Sequence, residues 1–273
     1  MSYVPVSWSY KDAITVNKTT QMVDNTLAVC QNRIIGGELR VEGSSTAVIN
    51  GGYLWLEDNW LQLTAAETIQ VTAAANWITG TVAEAASTAI YIYAINSASQ
   101  QWQAKFSLSA PAYSDCNSGT STGPEIYDYI TGLGKWARCI GMVVNNTGSD
   151  FKKQYQAGNN VYYYHGPIIK SNGTATYTPL DLSAVYGDTC WLPKYSESVQ
   201  IHFDNKSAGG SLFYIKSNIH GDSGTIQFPD GNAESTLSIP IGTARNYEWR
   251  SNSDAYPYDQ WLISYDNAAV RGN

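Results

Sequence analysis

Catalysis by a side-chain nucleophile needs a hydroxyl or thiol, a base beside it and a group that orients the base. The nearest approach in this chain is His220-Gly221-Asp222-Ser223-Gly224, whose Gly-Asp-Ser-Gly has the order found around a trypsin-like nucleophile. The rest of that machinery is not recognisable. Only His165 and His202 precede it, neither in a telling context, and Thr225 stands where a further glycine is usual. Between Ile219 and Ile226 the same residues suit a surface turn, and they are read as one. His202-Phe203-Asp204 puts an imidazole and a carboxylate on one face of a strand, a spacing metals use, but without a third ligand. Asp222, Asp230, Glu234, Glu248, Asp254 and Asp259 are numerous enough for the carboxylate pair of a glycoside hydrolase, yet their spacing singles out no pair. No phosphate loop or dinucleotide fingerprint occurs. The expectation is a non-enzymatic chain with no metal and no cofactor, a hydrolase being the least favoured reading.

Recognition is the better-supported chemistry. Trp249, Tyr256, Tyr258, Trp261 and Tyr265 crowd one stretch near the C-terminus, with Arg245, Arg250, Asp254 and Asp259 among them. Exposed aromatic rings stack on sugar faces while carboxylates and guanidinium groups take hydroxyls, so these five aromatics form a candidate glycan- or receptor-binding edge. The competing reading makes Trp249 and Trp261 core and the tyrosines a subunit interface.

Composition narrows the partners. The chain has 273 residues and a net charge of −7, and no stretch is more basic than the pair Lys152-Lys153. Neutralising phosphates takes a basic stripe, so nucleic acid is not an expected partner, nor is an anionic membrane surface. No apolar run approaches the roughly 18 residues of a membrane span, and the start MSYVPVSWSY lacks the marks of a signal peptide. The 4 cysteines (Cys30, Cys116, Cys139 and Cys190) are far apart with no CxxC, which argues against zinc and leaves buried free thiols as the expectation. Asn-x-Ser/Thr triplets at Asn17, Asn145, Asn172 and Asn205 are read as incidental in so Asn- and Thr-rich a chain.

Strands must carry these residues. Charged residues are only 14%, while Tyr (20), Gly (23) and Trp (9) are plentiful, a composition that favours sheets over helical bundles. Residues 1 to 14 read as extended, and Val16 to Cys30 is the one convincing helix, with Val16, Met22, Val23, Leu27 and Val29 as a ragged apolar stripe. Gly36-Gly37 closes this entry segment. Short alternating pieces follow from Glu38 to Val82, with Asn50-Gly51 as the clearest hairpin signal. Trp55, Trp60 and Trp77 fall here and are read as packing residues. Ala89 to Ile95 is the most strand-like run, with Gln103 to Ala110 as its partner, and Pro111 to Pro124 reads as a long loop. From Ala137 to His165 come three short strands cut by polar turns. In the middle one, Phe151, Lys153 and Tyr155 alternate with Lys152, Gln154 and Gln156. Strands resume at Val199 to Phe203, Ser211 to Lys216, Thr225 to Phe228, Ser235 to Ile241, Asn246 to Arg250 and Trp261 to Tyr265, with a hairpin signal at Asp230-Gly231. The expected fold is mainly β: two antiparallel β-sandwich-like domains, the second jelly-roll-like, after an N-terminal extended segment and one short helix. Residues 1–36 form the N-terminal segment with the helix, 37–170 the first β domain and 171–273 the second.

The order of these pieces resembles tailed-phage virion proteins of the tail-fibre, head-fibre and capsid-decoration type. The likeness rests on Tyr91 and Tyr93, on Ser109-Ala110-Pro111, on Arg138-Cys139-Ile140-Gly141, on Phe151 and on Tyr162 to Tyr164. The start, VPVSWSYKDAITVNKTTQMVDN, is similar to phage chains that open with a Trp-containing extended segment and an Asn-rich helix. The likeness covers roughly residues 3 to 30 and 87 to 186 and does not extend past 190. It implies a non-enzymatic protein located in the virion, commonly a homotrimer, that contacts other virion proteins and in some cases a host surface glycan. On this reading Trp8, Val16, Met22, Val23 and Leu27 dock the chain on the capsid or tail. The long β-helical or coiled-coil shaft of fibres is missing, so a compact decoration, adaptor or short-fibre protein is expected.

Overall fold

The structure, a computed structural model, describes residues 34–56, 59–86, 88–98, 100–109, 127–130, 135–145, 150–158, 160–164, 168–171, 176–182, 185–186, 189–190, 196–205, 213–217, 225–228, 233–241, 246–251 and 258–267. The expected helix and the docking residues Trp8, Val16, Met22, Val23 and Leu27 lie outside them. The fold is mainly β. In chain order the early strands are Ile34–Gly36 (β1), Leu39–Val41 (β2), Thr46–Ile49 (β3), Gly52–Leu56 (β4), Asn59–Leu63 (β5) and Glu67–Gln70 (β6). Then come Ala89–Ala98 (β7), Gln101–Ser107 (β8), Tyr127–Ile130 (β9), Lys135–Val144 (β10), Gln154–Ala157 (β11), Asn160–Tyr163 (β12) and Ile168–Ser171 (β13). The last are Thr178–Asp181 (β14), Val185–Tyr186 (β15), Thr189–Cys190 (β16), Ser196–Asn205 (β17), Phe213–Ser217 (β18), Thr225–Phe228 (β19), Ala233–Pro240 (β20), Asn246–Ser251 (β21) and Tyr258–Asn267 (β22).

A seven-stranded sheet runs β1-β4-β5-β8-β7-β10-β9. A second sheet runs β20-β17-β22-β12-β11-β2-β3-β6, with β13 also on β22, and a four-stranded sheet runs β14-β21-β18-β19. The first sheet is buried on both faces at β7 and β10. In β7, Ile90, Ile92 and Ala94 join one core while Tyr91, Tyr93 and Ile95 join the other. This explains why AIYIYAI is a continuous apolar run and not an alternation. The second sheet covers both of those faces. Leu39, Val41, Ala47, Ile49 and Ile69 of β2, β3 and β6 pack in the first core. Val161, Val199, Ile201, Phe203, Ile239, Leu262 and Tyr265 of its other strands pack in the second, with Ile215, Tyr247 and Trp249 of the four-stranded sheet.

Strand β11 lies where the second sheet passes the edge of β10. β9 pairs only with the first part of β10, residues Lys135 to Arg138. Further along, Val144 O accepts from the Lys152 backbone N–H at 2.9 Å. Met142 O then accepts from Gln154 Nε2, and Ile140 O from Gln156 Nε2 at 2.8 Å. The sequence FKKQYQAG therefore begins as the return strand of a hairpin, with Asn145 bridged to Phe151, and then turns away into the other sheet. Two glutamine side chains continue the ladder it leaves. Both are buried, so the amide-bearing face of this alternating strand is the inner one.

Two expectations from the sequence change. Asn50-Gly51 does not close a hairpin: β3 pairs with β2 and β6, while β4 pairs with β1 and β5. The chain crosses there from one sheet to the other, as it does at Gly36-Gly37. At Gly36 φ is +75° and an added Cβ would sit 2.6 Å from Gly51 O, so the two crossings touch and need a residue without a side chain. Asp230-Gly231 likewise separates strands that do not pair, since β19 pairs with β18 and β20 with β17. Strand β12 pairs with β22, and one core takes residues from Tyr91 to Tyr265. The parts on either side of residue 170 share a sheet and a core.

Candidate functional site: the outward face of the long sheet

One row of paired residues crosses eight strands of the second sheet. In register it reads Thr68, Val48, Arg40, Tyr155, Tyr162, Ser264, Gln200 and Ser238. Side chains of paired residues share a face, and apart from the buried Ser264 this one is outward: the flanking Gln154, Gln156, Val161 and Ile201 are buried. Tyr162 is 41% exposed and its near neighbour Tyr164 52%, high values for rings of that size. The Arg40 guanidinium lies 5.5 Å from the centre of the Tyr155 ring. Burial first, then a hydrogen bond to Glu38 and its charge, raise the Tyr155 hydroxyl above its ordinary range, while Arg40 pulls it down. Glu38 is held from its other side by Asn50 Nδ2 at 3.1 Å.

The neighbouring row on β20, β17 and β22 brings together residues that the sequence offered separately. Thr236 pairs with His202, and His202 with Trp261. His202 Nδ1 lies 3.1 Å from Thr236 Oγ1, and its Nε2 lies 3.9 Å from Glu234 Oε2. The imidazole and the Trp261 ring are 5.5 Å apart between centres, tilted by 45°. One step on, Glu234, Asp204 and Asp259 follow one another across the same three strands. A shift in register between Gln200 and Ile201 decides this. With Leu262 and Gln260 buried, Trp261 comes to the outward side.

The aromatic edge expected at 249 to 265 does not form as a unit. Trp249 and Tyr265 are core side chains, 0% and 2% exposed, and offer no ring to a ligand. The reason is parity: β21 alternates with Tyr247, Trp249 and Ser251 inward. Of the three whose side chains are described, Trp261 is the one on the outward face, partly exposed. Tyr258 begins β22, its side chain outside the described residues, as is Tyr256. The stretch His220 to Gly224, with Ser223, and also His165 lie outside them too. Among the described residues, no group of three or more His, Cys, Asp or Glu side chains is placed to hold a metal. Trp55 and Trp77 are core, as expected, and Trp77 Nε1 donates to Val71 O at 2.6 Å. Cys139 is a buried free thiol, as expected, and Asn145 is fully buried, so its triplet is closed to glycosylation in the folded chain.

The sequence pointed to Trp261, His202 and Glu234 singly but not to their meeting, nor to Arg40, Tyr155 and Tyr162. The alternation within each strand was legible; the register between distant strands was not. No protein-family model matches this chain, and no curated protein matches its sequence.

Proposed function

We propose that the chain is a structural component of a tailed-phage virion, a fibre, adaptor or decoration protein working through protein–protein contact as a homotrimer. The contact reading rests on one observation: the outward row of Arg40, Tyr155 and Tyr162, with Tyr164 beside it, on a rigid sheet. Tyr and Arg are enriched at interfaces because each combines a large apolar area with a polar end and few rotamers to freeze. The occupant of this face is a second copy of the chain. The virion reading is supported by the likeness of residues 3 to 30 and 87 to 186 to such proteins. Residues 1–36 supply the docking to other virion proteins, through Trp8, Val16, Met22, Val23 and Leu27. Sedimentation velocity tests the assembly. The wild type is expected at three times the mass of one chain, with Tyr162→Asp shifting it toward one chain and weakening association by at least about tenfold. A monomeric wild type overturns the trimer. Deletion of residues 1–30 is expected to abolish incorporation into particles, and unchanged incorporation overturns the docking role.

A second reading is favoured by Trp261. Its ring, the His202 imidazole, the Thr236 hydroxyl and the Glu234 carboxylate combine an apolar plate with hydroxyl-binding groups, the means by which proteins hold neutral sugars. On this reading the face presents a host surface glycan-binding patch around Trp261, without the buried Trp249 and Tyr265. Binding on a glycan array that Trp261→Ala removes supports it, and a blank array across host polysaccharides overturns it.

A further inference from the structure

The outward face of the four-stranded sheet carries a cation placed unlike any other among the described residues. Along β21, Glu248 and Arg250 point away from the core that holds Tyr247 and Trp249. In register, Glu248 lies opposite Lys216 and Arg250 opposite Tyr214. Lys216 Nζ and Glu248 Oε2 are 3.2 Å apart, so this pair answers itself. Arg250 has no such carboxylate among the described residues. Its guanidinium carbon lies 4.5 Å from the centre of the Tyr214 ring and 4.8 Å from that of Tyr177. Lys216 Nζ borders the same Tyr177 ring, at 5.5 Å. The Arg250 Nε is shielded from solvent and makes no hydrogen bond.

Stacking satisfies the faces of a guanidinium and none of its donors, which lie in its plane and point outward from the edge. A planar fork fixed by two rings has already lost the rotamer freedom that a binding arginine otherwise gives up on contact. In a chain of net charge −7, a cation held this way is suited to a planar or tetrahedral oxyanion, taken bidentately. Glu248 would repel such a ligand, but Lys216 neutralises it. We propose that Arg250, clamped by Tyr177 and Tyr214 with Lys216 alongside, is a binding site for an oxyanion, a carboxylate or a phosphate group, for which acidic sugars serve as probes. This site is on a different sheet from the Trp261 patch and does not depend on it.

The test uses the full chain, following the Arg250 Nε–H resonance, assigned by its loss in Arg250→Lys, during titration with galacturonate, glucose 6-phosphate or glucose. A saturable shift with at least one acidic sugar and none with glucose is expected. Galacturonate alone identifies a carboxylate site and glucose 6-phosphate alone a phosphate site. Added salt should weaken binding several-fold, as for any exposed ion pair. Arg250→Lys keeps the charge but not the fork and should weaken binding about tenfold, monitored by tyrosine fluorescence, with the melting temperature as a check on folding. Lys216→Gln should weaken it by about two- to fivefold. No saturable shift in the wild type overturns the proposal, whether or not the variants fold. Equal affinity in wild type and folded Arg250→Lys also overturns it, and leaves the Tyr-Arg-Tyr stack as a packing device.

Discussion

At the edge of β10, the carbonyls of Ile140 and Met142 have no strand alongside, and the amides of Gln156 and Gln154 take its place. A hydrogen bond to a buried carbonyl adds little in net terms, but leaving that carbonyl unmet costs about 1–3 kcal/mol. Gln156→Leu, which keeps the volume and removes the donor, should therefore lower stability by about 1–3 kcal/mol in urea denaturation. A change below about 0.5 kcal/mol would mean water replaces the amide. Glu67 plays the same part at β8, where its Oε2 accepts from the Ala104 N–H at 2.8 Å. Desolvation raises its pKa above the ordinary 4.5, outweighing that bond and Lys105. A raised carboxyl pKa means the folded chain holds the proton more tightly than the unfolded chain. The carboxylate therefore costs stability above the raised pKa, and that cost fades as pH falls toward 4.5. Glu67→Gln keeps an acceptor without the charge. It should be at least as stable as the wild type near neutrality, with the advantage shrinking as pH falls through this window. An advantage independent of pH would refute the account.

Strands in this protein are placed by where the chain changes sheets. The crossing at Gly36 is possible because φ is +75° and Gly51 O lies where a Cβ would be. Alanine there meets both a left-handed backbone, costing about 1–2 kcal/mol, and a backbone atom that cannot rotate away. Gly80, at φ +69° with open space around it, meets only the first. Gly80→Ala should thus cost about 1 kcal/mol and Gly36→Ala several times more, read from thermal melts of the two variants. Equal costs would show that the crossing relaxes freely.

The whole molecule has a long sheet that passes β10 and covers both faces of a shorter one. Cutting it near residue 170 strips β22 from β12 and removes Val199, Ile201, Leu262 and Tyr265 from a shared core. The intact chain should unfold in one transition seen alike by tryptophan fluorescence and far-ultraviolet circular dichroism. A fragment of residues 37–170 should show no cooperative transition. A fragment melting with the midpoint of the whole chain would show that residues 37–170 fold as a domain of their own. The same reasoning bears on assembly, because the outward face that would meet a second copy draws Arg40 and Tyr155 from one half and Gln200 and Ser238 from the other.

Alternation and turn residues, both local properties, made the strands after 196 and the run at Ala89 to Ile95 legible in the sequence alone. Each strand's own period of two is set by its backbone, and β-branched and aromatic residues favour it wherever it lies. What joins to what depended on the tertiary structure. Asn50-Gly51 has the chemistry of a tight turn in either case, but pairing is decided by partners far along the chain and by the core each strand buries. For the same reason the aromatic stretch at 249 to 265 split, with Trp249 and Tyr265 drawn inward by the parity of β21 and β22 and Trp261 left outside to meet His202. Side-chain type is written residue by residue, whereas the face a ring shows is fixed only when distant strands come into register.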